Sequence, residues 1–181
     1  MSNFYRDIIQ KDRRFRSTDR IADPALLEPV TRQAVAAILA RTRDLGMELM
    51  VFETYRSQER QAALFEQGVT QLRQVGVHHY GLAADLVKVI EGQPSWDGDC
   101  AFMGRLARKY NLIWGGDWGE PEKTHNFRDY DHVQRCRVSA QPLLFSGTWY
   151  PEADYNPYGT VAAAPICLLK LTSDDAGQTS L

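Results

Sequence analysis

The sequence predicts an α+β fold, and three observations carry that expectation. Apolar residues recur at helical spacing between Leu26 and Leu45. Met47–Tyr55 and Ala83–Ile90 are rich in large apolar and β-favouring residues. Helical and strand segments are segregated along the chain, which suits a sheet with helices packed on it. At 181 residues the chain is roughly one domain. With 44% hydrophobic and 24% charged residues it can bury a core without disulfides or structural metal.

Taken in order, residues 4–10 suit a short first helix. Asp23-Pro24 has the form of a helix start, an acceptor side chain followed by proline at the first helical position. Leu26, Leu27, Val30, Val35, Ile38, Leu39 and Leu45 carry the helix, and Gly46 stops it. A strand over Met47–Tyr55 follows. Ser57 can cap a second helix that ends at Gly68, and 69–82 reads as a loop. Ala83–Ile90 is a strand, 91–95 a turn, and about Gly98 to Tyr110 a third helix. Leu112–Trp114 and Asp131–Arg135 read as short strands flanking an irregular stretch at 115–129. Beyond residue 138 the character changes. Val161–Leu171 suits one more strand, and Thr172–Leu181 is expected to be disordered. These divisions suggest a domain over 1–138 and a C-terminal extension over 139–181. The extension could pack on the core, cover a cleft or bind a partner.

Charge and apolarity narrow the function. Twenty-one basic against 23 acidic residues give a net charge of −2, unlike a polybasic nucleic-acid or membrane-surface protein. The KDRRFRSTDR stretch, Lys11–Arg20, reads as a solvated face. No apolar run approaches the ~20 residues that span a bilayer, so membrane insertion is not expected. The N-terminal MSNFYRDIIQKDRRFRS has charges where a signal peptide needs an apolar segment. The expectation is synthesis in the cytoplasm, with access to an outside substrate only by release or delivery. Cys100, Cys136 and Cys167 cannot all pair within one chain, and reduced thiols are the default.

The chemistry is concentrated. His78, His79, His125 and His132 lie within one third of the chain, close to Asp85, Asp117, Asp129 and Asp131. Two His and one Asp make a catalytic zinc site with an open fourth position. Alternation puts Asp85 on one face of its strand, with Val87 and Val89. Gly81 can take positive φ and fold the preceding loop back, bringing His78 beside Asp85. On the later strand His132 and Gln134 share a face and Asp131 points away, while a turn can swing Asp129 toward His132. This reasoning selects His78, Asp85 and His132 as ligands of one Zn²⁺ and Asp129 as the base. Asp131 stands as a solvated or supporting acid and a rival base. His79 is left beside the site, and His125 is a candidate substrate contact.

These residues carry a resemblance. His78-His79-Tyr80-Gly81-Leu82-Ala83-Ala84-Asp85 resembles the His-x-x-Gly-x-Ala-x-Asp signature of zinc peptidoglycan peptidases. The family includes VanY-type D-Ala-D-Ala carboxypeptidases and phage-lysin L-alanyl-D-glutamate endopeptidases. Asp129-Tyr130-Asp131-His132 is similar to its second motif, Thr54-Tyr55-Arg56-Ser57 to its arginine turn, and Trp114-Gly115-Gly116-Asp117-Trp118 to a segment of the endopeptidase branch. Gly76 departs from the family's usual Ser, and Asp131 from a frequent Pro.

The resemblance covers about residues 25–136. It implies a small central antiparallel sheet with packed helices, as in the hedgehog signalling domain. It also implies zinc on His78, Asp85 and His132, Asp129 as general base and Arg56 on the substrate or oxyanion. Trp114, Gly115, Gly116, Asp117 and Trp118 are then candidate substrate contacts. The expected partner is a peptidoglycan stem peptide, cut at the L-Ala–D-Glu bond. Trimming of terminal D-Ala is the alternative, and a non-catalytic zinc module binding wall or protein is a second. The Trp-Gly-Gly-Asp-Trp segment and an Asp at 129 favour the endopeptidase.

Overall fold

A computed structural model describes residues 3–118, 127–155 and 157. His125, Cys167, the strand expected at 161–171 and the disorder expected at 172–181 lie outside the described residues. Five helices, α1 (Phe4–Asp7), α2 (Pro29–Asp44), α3 (Gln58–Glu66), α4 (Ala101–Lys109) and α5 (Gln141–Ser146), surround one antiparallel sheet among those residues. Its strands are β1 (Leu49–Glu53), β2 (Ala83–Ile90), β3 (Gln93–Ser95), β4 (Ile113–Trp114) and β5 (His132–Gln134). Their order is β1-β2-β5-β4, with β3 added to β2. The α+β expectation holds.

Several boundaries shift for physical reasons. Asp23 does cap a helix, accepting from Ala25 N at 2.9 Å, but only the single 3₁₀ turn Pro24–Leu26. A second proline, Pro29, pushes Glu28 into extended geometry (φ −61°, ψ 154°), so α2 starts there instead. The Glu28 carboxylate caps it, accepting from Thr31 N at 2.6 Å and Val30 N at 2.9 Å. Gly46 ends the helix at φ +74°. Ser57 caps α3 by accepting from Arg60 N at 3.0 Å. The expected turn at 91–95 is shorter. Glu91 and Gly92 both adopt positive φ, a tight hairpin turn, and 93–95 pair with β2. The expected loop at 69–82 contains a 3₁₀ turn, Val77–Tyr80. Residues 141–146, for which the sequence suggested no element, form α5.

The sheet divides two cores. Alternation sends Ala84 and Leu86 of β2 and Val133 of β5 to one face, where they pack with Val35 and Ile38 of α2 and Met103 of α4. The other face carries Asp85, His132 and Gln134. At its edge lies a second apolar cluster, where Phe4 and Ile9 meet Val77, Tyr80, Cys136 and Leu144 of α5. Of the fates open to the extension, its described residues pack on the core. Leu144 is fully buried, Tyr150 Oη accepts from Phe4 N at 2.7 Å, and Tyr155 Oη donates to Tyr80 O. No helix among the described residues is long and apolar enough to cross a membrane.

Candidate metal centre and cleft

Register builds the site. Asp85 sits opposite Glu53 across β1 and opposite His132 across β5, so three ionisable side chains form a row on one face. A bulge between Val51 and Glu53 of β1 sets that alignment. His78 arrives from the 3₁₀ turn before β2. Gly81 closes that turn at φ +64°, as expected from sequence. A Cβ at Gly81 would stand 2.6 Å from Leu26 O, so no other residue fits there without displacing backbone.

His78, Asp85 and His132, all buried, converge. His78 Nε2 lies 3.3 Å from Asp85 Oδ1 and 3.2 Å from His132 Nδ1, which is 3.0 Å from the same Asp85 oxygen. In tetrahedral zinc with bonds of about 2.0–2.1 Å, neighbouring ligand atoms stand roughly 3.3 Å apart. The spacing therefore fits zinc. The ring nitrogens fit as well. His78 Nδ1 donates to Thr54 O at 3.0 Å, which leaves the Nε2 lone pair facing inward. His132 Nε2 donates to Gln134 Oε1 at 2.9 Å, which leaves Nδ1 inward. The Gln134 amide is itself oriented, because its Nε2 donates to Cys136 O. Such outer partners fix ring orientation and raise ligand basicity.

The field of the site favours a cation. Burial opposes charge on Asp85, yet His78, His132 and Arg56 together hold its carboxyl well below the usual range. Burial opposes charge on His132 too, but Asp85 and Asp129 outweigh it and raise its pKa. Buried His79 is held down to about 3, by burial first and then by the charges of His78 and Arg56. It stays neutral, with its ring facing Gly76 rather than the centre.

Arg56 reaches the centre from the turn after β1. Its Nε donates to Glu53 at 2.7 Å and its Nη2 to Asp85 Oδ2 at 2.9 Å. Glu53 also accepts from Arg60. The pairing with Glu53 thus aims the guanidinium at the His78–Asp85–His132 cluster. Asp129 lines both hollows of the cleft, one of about 230 Å³ bordered by His78, His132, Trp118 and Phe127, the other of about 310 Å³ bordered by Asp85, Trp96 and Asp131. Arg56 also borders both.

The Trp-Gly-Gly-Asp-Trp segment is divided. Trp118 lines the cleft, 5.0 Å from the His132 ring and stacked on Phe127. Trp114 instead belongs to the core. Its ring covers Gly104 and Gly116, and its Nε1 donates to Tyr130 O at 2.8 Å. A Cβ at Gly115 would meet Asp129 O, so Gly115 lets the Asp129 backbone approach closely. Asp117 pairs with Arg108 on α4. Trp114 and Gly115 therefore buttress the 129–130 backbone, while Gly116 lies under the Trp114 ring and Asp117 turns to α4.

Asp131 takes the supporting rather than the solvated place of the two the sequence left open. It precedes β5, and its carboxylate comes within 4.8 Å of Asp85 and Asp129 while accepting from Trp96 Nε1 at 2.6 Å. Burial, with Asp129 and Asp85 adding to it, pushes its pKa up to about 8. Thr54, Gln134 and Trp96 are the site residues the sequence reading left out. Gln134 had a signal, since it shares a strand face with His132.

No protein-family profile matches the chain. Over 130 residues it is 27% identical to "Peptidoglycan L-alanyl-D-glutamate endopeptidase CwlK" of Bacillus subtilis (strain 168), which covers 61% of this chain and 74% of that protein. Over 159 residues it is 28% identical to "L-alanyl-D-glutamate peptidase" of Listeria phage A118, covering 83% of this chain. The chain spans about half (55%) of that phage protein. In fold it is similar to the Serratia marcescens L-Ala D-Glu endopeptidase ChiX. That match has a TM-score of 0.51 and 22% identity, covering 70% of this chain and 96% of ChiX.

Proposed function

We propose that this chain, a homologue of the peptidoglycan L-alanyl-D-glutamate peptidases, is a zinc-dependent hydrolase of the L-Ala–D-Glu bond in peptidoglycan stem peptides. The observation that carries the reading is the convergence of His78 Nε2, Asp85 Oδ1 and His132 Nδ1 at tetrahedral ligand spacing, with Asp129 and Arg56 bordering the same cleft. Zinc held there supplies Lewis acidity and a water of lowered pKa.

The remaining work falls to the chain's own residues. Asp129 Oδ takes the proton of the attacking water and returns it to the leaving amine nitrogen. Arg56 is oriented by two bonds through Nε and Nη2 and borders the cleft, and its role is to stabilise the negative charge that develops on the carbonyl oxygen. Trp118 and Phe127 wall the cleft and limit water there. Thr54 O and Gln134 hold the imidazoles so that no proton blocks the inward nitrogens.

Two substitutions separate the roles. Asp129→Asn keeps its zinc and loses about 10²–10⁴ in kcat, as removal of general acid–base help does. His132→Ala loses zinc itself, read by metal analysis of the purified protein. Near-normal turnover in the first, or full zinc in the second, would overturn the assignment.

A further inference from the structure

One feature of the cleft lies outside the catalytic constellation. Trp96, just after β3, is 53% exposed, yet it is held at two points. Its Nε1 donates to Asp131 at 2.6 Å, and its ring meets Phe52 edge-on at 5.0 Å and 83°. Phe52 is in turn covered by the Arg20 guanidinium, 4.2 Å from the ring centre, whose Nη1 donates to Phe52 O at 2.7 Å. An exposed indole ordinarily samples several rotamers, and one fixed in this way presents its free face at little entropic cost on binding. It borders the hollow that also contains Asp85, Asp129 and Arg56, so its face continues the substrate cleft.

We propose that Trp96 is the saccharide platform of this cleft, stacking against the pyranose ring of the muramyl residue from which the stem peptide hangs. The inference rests on the proposed function and names the glycan-side part of that substrate. Pyranose rings present C–H faces, and an indole face is the aromatic surface with the largest area to receive them. The separation fits. The indole binds Asp131, whose carboxylate is within 4.8 Å of Asp85, so the platform lies roughly two residue lengths of extended chain from the metal ligands. In the substrate, L-Ala and the lactyl linker stand between the scissile carbonyl and the sugar, a span of about two residues. A flat ring also suits the partner better than a cationic pocket, because the lactyl carboxyl is consumed in the amide to L-Ala.

The test compares two substrates that differ only in the sugar, N-acetylmuramoyl-L-Ala-D-Glu and N-acetyl-L-Ala-D-Glu. The zinc-loaded wild-type protein should favour the muramyl compound in kcat/KM by about tenfold, the scale of one good aromatic stack. Trp96→Ala should bring that ratio close to one, and Trp96→Phe should keep most of it, because a flat ring remains. Loss of the bond to Asp131 lowers both substrates alike and leaves the ratio unmoved. A ratio unchanged in Trp96→Ala, or a wild-type ratio of one, overturns the platform while leaving the peptidase reading intact. A binding measurement keeps the two readings apart. N-acetylmuramic acid alone should quench tryptophan fluorescence in wild type and not in Trp96→Phe. If neither substrate is cleaved but that quench is present, the platform stands and the peptidase reading fails. Absence of the quench counts against the platform.

Discussion

The two apolar clusters differ in how they are assembled, and each supports part of the candidate metal centre. The first is built from long elements, with Val35 and Ile38 of α2 and Met103 and Leu106 of α4 packed on Leu86 and Val133. It underlies the strands that carry Asp85 and His132. The second joins the two ends of the described chain, Phe4 and Ile9 with Cys136 and Leu144, around Val77, Tyr80 and Leu82. It underlies the short turn that carries His78. Two of the three candidate ligands therefore rest on a core of regular structure, and the third on a patch made from segments more than a hundred residues apart. The difference predicts that a C-terminal segment carrying none of the proposed catalytic residues affects zinc binding through the turn it supports, the one that bears His78.

The comparison can be broken by paired cavities. Ile38→Ala and Leu144→Ala each empty a fully buried site, and each should cost about 2–5 kcal/mol in denaturant unfolding. Their effects on zinc should part. In the folded protein Ile38→Ala should leave zinc affinity close to wild type, whereas Leu144→Ala should weaken it by loosening the 77–80 turn. Equal zinc affinity in the two variants would dissolve the distinction. A smaller effect sharpens it from the strand side. Gln134→Ala removes the acceptor that orients His132 and should lower zinc affinity by about 10–100-fold with little change in fold. Competition against a chelator of known affinity reads this directly. The smallest effect is a control outside both clusters. Ser57→Ala removes the cap of α3 and should cost about 1 kcal/mol of stability with zinc affinity unchanged.

The same contrast explains what could be read from the sequence. The first cluster was legible because α2 shows long helical periodicity, and Ala83–Ile90, apolar but for Asp85 and Lys88, gives β2 with the expected ends. His78, Asp85 and His132 were legible because strand alternation and a single glycine, Gly81, suffice to bring them together. The second cluster was not. Gln141–Ser146 is too short to show periodicity, and Pro142 at its start reads equally as a loop. β3 escaped because three residues with Pro94 among them carry no strand pattern, and proline is tolerated at that sheet edge. Trp114 read as a cleft wall because nothing local shows that its ring covers Gly104, ten residues earlier. A glycine inside α4, where it costs about 1 kcal/mol against alanine, was the one available sign of that close approach. Asp131 was left between a solvated and a supporting acid because strand alternation turned it away from His132, but it lies before β5, where alternation does not apply, and Trp96 holds it beside Asp85 and Asp129.

The most direct test of the whole account is mass spectrometry of purified peptidoglycan digested with the zinc-loaded protein, beside a chelator-treated sample. The account predicts new fragments separated between L-Ala and D-Glu, absent after chelation and restored by added zinc. Loss of terminal D-Ala with that bond intact, or cleavage that survives chelation, would contradict it.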